Sequence, residues 1–82
     1  YRLAAEQGQP NAQYILSVMY ASGEGVPEDK VLAYMWWNLA ASNGHEKASK
    51  NKDIIAERMT SSQIEKAQEL SRECFKKNYK DC

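Results

Sequence analysis

The sequence predicts an all-α fold, an α-solenoid of antiparallel helix-loop-helix repeats closed by a C-terminal capping helix. Three observations predict it. Ala4-Ala5-x-x-Gly8-x-x-x-Ala12 returns as Ala40-Ala41-x-x-Gly44-x-x-x-Ala48, an offset of roughly 36 residues, and a period of that size means stacked repeats. Between the two phrases Ala12, Leu16 and Tyr20 recur every four residues, with Ile15 and Met19 beside them, which is the apolar face of a helix. Glycines at 8, 23 and 44 and prolines at 10 and 27 cut the chain into segments of helical length.

Each element follows in order. Residues 1–7 finish a helix that Gly8 ends in a left-handed conformation, where glycine carries no Cβ penalty. Because the period sets Tyr1-Arg2-Leu3 opposite Trp37-Asn38-Leu39, the start is expected to be the second half of a repeat helix and the native chain to be longer. Pro10 suits a first helical position, since its missing N–H is no loss there, and the next helix is expected over 10–22. The loop Gly23-Glu24-Gly25-Val26-Pro27-Glu28 holds an apolar plug at Val26, and Asp29 is the expected N-cap of a helix running to about Asn43. There Ala33, Ala40 and Ala41 let a neighbour approach closely while Trp36 and Trp37 supply bulk.

After Gly44 a further helix is expected over 45–58, with the repeat decayed: Lys52 stands in the place of Leu16 and Ala56 in that of Tyr20. Ala48, Ile55 and Met59 keep one apolar line. Thr60-Ser61-Ser62-Gln63 reads as a capping box, so the last helix is expected over 61–77. Ile64, Ala67, Leu70, Cys74 and Phe75 are its expected apolar side, and its charged outer side makes it a cap, which a terminal repeat needs for solubility. The chain therefore divides into 1–8, the end of one repeat helix; 9–44, a full repeat; 45–59, a decayed repeat helix; 60–77, the cap; and 78–82, a tail.

The alanine–glycine frame with Gly23-x-Gly25-Val26-Pro27-x-Asp29 resembles the Sel1-like repeat family, a branch of the tetratricopeptide-like α-solenoids, over roughly the whole chain. The resemblance implies a right-handed solenoid and a non-catalytic scaffold that binds another protein or peptide without a cofactor. It also implies that the first helix of each hairpin lines a concave face. With Ala12, Leu16 and Tyr20 turned to the packing, that face shows Asn11, Tyr14, Val18 and Ala21 or Ser22, continuing one period on as Lys47, Lys50, Ile54 and Glu57. Ser17 stands where many repeats have glycine, and as a small residue it is expected to fit. The run from Met59-Thr60-x-x-Gln63-Ile64 to Ala67-Gln68-x-Leu70 looks like the finish of many bacterial members, and many of those are exported. A periplasmic or secreted location is the expectation.

Eleven basic and eleven acidic residues give a net charge of zero, so no global field draws nucleic acid or an anionic membrane to the chain. No apolar run approaches the length of about 18 residues that spans a bilayer, so no membrane insertion is expected. Apolar surface around Leu3 and Tyr14 leaves self-association open.

Enzymatic readings are thinner. Ser49-Lys50-Asn51-Lys52 matches SxxK, but neither SDN nor KTG accompanies it; β-lactam binding or hydrolysis, assigned to cysteine-rich relatives of the family, is the enzyme alternative. A purely structural end cap of a longer solenoid is the other. Glu24, Glu28 and Asp29 cluster about the loop, where capping explains them without a cation, and His45 reads as a surface residue at a helix start. No metal site is expected from one histidine and two cysteines. Cys74 and Cys82 are either free thiols or a disulfide, and the disulfide would place the chain in an oxidising compartment.

Overall fold

The computed structural model describes residues 2–80 and 82. Tyr1, the counterpart of Trp37, and Asp81 of the tail lie outside the described residues. The described chain forms five helices: α1 (Arg2–Glu6), α2 (Pro10–Ser22), α3 (Lys30–Ser42), α4 (Glu46–Ala56) and α5 (Ser61–Lys76).

The organising element is α3, against which α2, α4 and α5 all pack; α1 lies on α2. Its sequence explains the role. Ala33 and Ala40 are fully buried and present almost no side chain, so neighbouring helices approach closely, while Met35, Trp36 and Leu39 fill the space between them. Trp36 is 0 % exposed; its apolar area contributes about 3 kcal/mol, offset by about 1–3 kcal/mol because its buried indole N–H has no hydrogen-bond partner among the described residues. From α2 come Ala12, Leu16 and Tyr20, spaced at the helical repeat, and Ala48, Ile55, Ala67 and Cys74 complete the core from α4 and α5.

Local signals fix where these helices begin and end. Gly23, at φ +77°, turns the chain out of α2 while its N–H donates to the carbonyl of Met19 at 2.8 Å. Asp29 caps α3, its Oδ1 accepting from the Leu32 N–H at 3.1 Å, and its own N–H donates back to the Tyr20 carbonyl at 2.9 Å. The loop is thereby tied to both helices. At Thr60 the capping box is complete: the Gln63 N–H donates to Thr60 Oγ1 at 3.1 Å and the Thr60 N–H to Gln63 Oε1 at 2.9 Å.

The structure corrects the expected face of α5. Phe75 is 61 % exposed, and the buried residues are Ala67, Ser71 and Cys74, with Ile64 and Leu70 at the margin. Spacing of four and three residues puts Ser71 in line with Ala67 and Cys74 and rotates Phe75 outward. The Ser71 hydroxyl satisfies itself by donating to the Ala67 carbonyl at 2.9 Å. Ser17, also fully buried, does the same with the Gln13 carbonyl at 2.8 Å, so serine fits the close approach there.

The tail folds back. Cys74 and Cys82 form a disulfide with Cα atoms 5.7 Å apart. Within the loop it closes, Asn78 and Tyr79 adopt left-handed backbone at φ +55° and +66°, which costs Tyr79 about 1–2 kcal/mol and Asn78 less, since asparagine visits this region readily. Tyr79 thereby lies against Gly8 at the far end of the chain: a Cβ at Gly8 would sit 3.1 Å from the tyrosine ring.

Candidate functional site

Between α2 and α4 lies an open cleft of about 500 Å³. From α2 it takes Tyr14, Val18, Ala21 and Ser22; from α3, Lys30 and Trp37; from α4 and the turn after it, Asn51, Ile54, Ile55 and Arg58. The α2 and α4 sets each recur at three and four residues, so each is one stripe of a helix. Trp37 is the floor, only 6 % exposed, while Val18 on one wall and Ile54 on the other stand 40 % and 59 % exposed. Apolar side chains of that size left open on two facing walls are surface that water covers at a cost.

The walls are tied together at Tyr14. Asn51 of α4 donates to the Tyr14 hydroxyl at 2.9 Å, and the His45 ring stacks on the Tyr14 ring with centroids 4.3 Å apart and planes 9° from parallel. His45 is held for that stack by its place in the chain. It is the N-cap of α4, where Nδ1 accepts from the Ala48 N–H at 3.3 Å. The expected surface histidine is thus half-buried and positions the aromatic end of the cleft. Ser22 Oγ donates to the Val18 carbonyl at 2.9 Å, so its hydroxyl proton is engaged within its own helix and its oxygen can still accept.

Of the seven residues read from the sequence as facing a partner, Tyr14, Val18, Ser22 and Ile54 line this cleft. Asn11, Lys47 and Lys50 are exposed but lie outside it. Carrying the α2 stripe forward by one period placed the α4 stripe at 47, 50, 54 and 57, whereas the lining residues are 51, 54, 55 and 58. α4 packs on α3 through Ala48 and Ile55, two residues of the apolar line expected for it; the difference lies in which of its other residues face α2. Of the adjacent pair on α4, Ile55 is buried and Ile54 is exposed, so the helix can pack on α3 and still offer an apolar side chain to the cleft.

The other candidates are occupied otherwise. Lys52 Nζ donates to Asn38 Oδ1 at 3.3 Å and sits 6.0 Å from the Tyr34 ring centroid, so the lysine of SxxK is engaged with α3 while Ser49 is exposed. Asp29 is spent on its cap, and no group of three or more His, Cys, Asp or Glu among the described residues is placed to hold a metal. No helix among them is long and apolar enough to cross a membrane. A smaller groove of about 290 Å³ runs between α3 and α5, beside the exposed Phe75.

A family model for the Sel1 repeat matches residues 1–9 and 10–45. The chain belongs to the Sel1 repeat family. The match covers α1, α2 and α3 and stops at His45, where the sequence repeat decays. Sel1 repeats generally mediate protein–protein interactions, and the family is generally non-catalytic. No curated protein matches the chain. For a Sel1 repeat, a cleft with exposed apolar walls and a fixed aromatic end is a surface suited to a protein segment, because apolar anchors and aromatic residues carry most of the affinity at such interfaces.

Proposed function

We propose that this Sel1 repeat chain is a non-catalytic scaffold whose α2–α4 cleft receives a segment of a partner protein. The observation that carries the reading is the pair Val18 and Ile54, exposed on facing walls of a cleft whose end is fixed by the Tyr14–His45 stack. A partner side chain entering between them removes apolar surface on both walls at once, and the fixed end lowers the ordering cost of binding. Neither wall residue is needed for the core, so both are free to be changed.

The test is a pull-down with the intact protein beside Val18→Glu and Ile54→Glu variants, with helical content measured by circular dichroism. Each substitution puts a charge where an apolar contact forms and is expected to weaken capture by about tenfold, the equivalent of about 1.4 kcal/mol. Unchanged capture by both, with helicity intact, removes the cleft from the binding reaction. The Cys74–Cys82 bridge supports an oxidising compartment for the protein, and a periplasmic or secreted location is part of this proposal; cell fractionation checks it.

A further inference from the structure

The charges about the cleft are one-sided. Lys30 and Arg58 are among its lining residues, and no aspartate or glutamate is. Among the described residues neither side chain has a carboxylate or hydrogen-bond partner. The chain as a whole carries equal numbers of acids and bases, so the excess of positive charge is a property of this place and not of the composition. Asp53 of α4 and Glu57 in the turn after it flank Ile54 and Arg58 in sequence but do not line the cleft. Outside it, Lys47 and Lys50 extend α4's exposed basic residues towards the Tyr14 end.

Resting on the scaffold reading above, we propose that the segment this cleft takes is acidic: a short stretch of a partner protein that seats an aliphatic or aromatic side chain between Val18 and Ile54 and sets carboxylates against Lys30 and Arg58. The two recognition elements act differently. The apolar seat gives affinity through buried area. The cations give selection, because a basic segment brought to the same walls meets like charge beside a low-dielectric floor. Arg58 can engage a carboxylate through two parallel N–H donors, whereas Lys30 acts as a point charge, so the geometric demand falls on the Arg58 side.

Selection of short random peptides on the immobilised intact chain tests this, followed by affinity measurement with an enriched synthetic peptide. The expected sequences carry Asp or Glu flanking an aliphatic or aromatic residue. Their affinity falls with added salt and drops by about tenfold in a Lys30→Glu, Arg58→Glu double variant. A Lys66→Glu, Lys80→Glu variant makes the same change in net charge away from the cleft and is expected to bind as the parent does. Neutral or basic peptides that still lose binding in Val18→Glu overturn the acidic preference and leave the cleft as the binding site. Peptides indifferent to Val18→Glu and Ile54→Glu, or no enrichment at all, overturn the preference and the cleft together. A dimer in sedimentation that Val18→Glu dissolves gives the cleft to a second copy of the chain and overturns the proposal.

Discussion

At Gln13 a fully buried amide joins three parts of the chain. Its Nε2 donates to the Ala5 carbonyl at the end of α1, at 3.0 Å, and its Oε1 accepts from Asn43 Nδ2 at the end of α3, also at 3.0 Å. Asn43 Oδ1 in turn accepts from the Tyr79 hydroxyl at 3.3 Å. A side chain of this kind is invisible to hydrophobic patterning, which counts it as polar and puts it outside. Ala12, Leu16 and Tyr20 were legible because they are apolar at helical spacing; Gln13 was not, because its burial depends on one partner in the preceding helix and another thirty positions away. Likewise Tyr14 and Val18 could be placed on the exposed stripe of α2 from spacing alone, whereas Lys30 and Trp37 enter the cleft only once α3 is packed. Gln13→Leu keeps the volume but takes one of two donors from the Ala5 carbonyl, which keeps the Gly8 N–H at 3.0 Å, and removes the acceptor of the half-buried Asn43 amide. It is expected to cost about 1–2 kcal/mol, read as a lower urea midpoint with unchanged slope. A stability equal to the parent's would show that the network contributes nothing.

At the scale of elements, the helices differ in how they are held. The central α3 is buried along most of its length, while α4 buries only Ala48 and Ile55 and reaches α2 through the Asn51 and His45 contacts with Tyr14. The element that forms one wall of the candidate cleft is thus the decayed repeat helix. Its existence and approximate ends were legible from Gly44 and Thr60 and its buried side from Ala48 and Ile55, whereas the residues it turns to the cleft were not, because they depend on where α2 lies across from it. α5 is the opposite case, since its capping box is local and could be read directly. Thr60→Ala removes the hydroxyl that accepts from the Gln63 N–H and is expected to destabilise the protein by about 1 kcal/mol. Amide exchange would quicken first in the opening turn of α5, at residues 61–64. Exchange that quickens equally in α2 would mean the box acts on the whole fold instead.

Over the whole molecule, the two ends of the described chain meet. The Cys74–Cys82 bridge, with a sequence separation of 8, holds the tail so that Tyr79 covers Gly8 and reaches Asn43, joining the cap to the first repeat junction. On the chain-entropy account, closing so short a loop stabilises the fold by about 2–3 kcal/mol. Cys82→Ser is expected to lose that amount, reduction of the parent protein to lose the same, and reduction of the variant to add nothing. Neither change is expected to alter partner binding in the cleft, because neither cysteine lines it.

The whole-molecule claim is that partner recognition belongs to the α2–α4 cleft and not to the polar outer face of α5. A photo-crosslinking amino acid placed singly at Val18, Ile54, Glu65 or Glu69, all exposed, tests it most directly in cells making the protein. The account predicts covalent adducts with a partner from positions 18 and 54 and none from 65 and 69. Adducts from the α5 positions alone would contradict it and move the binding surface to the cap.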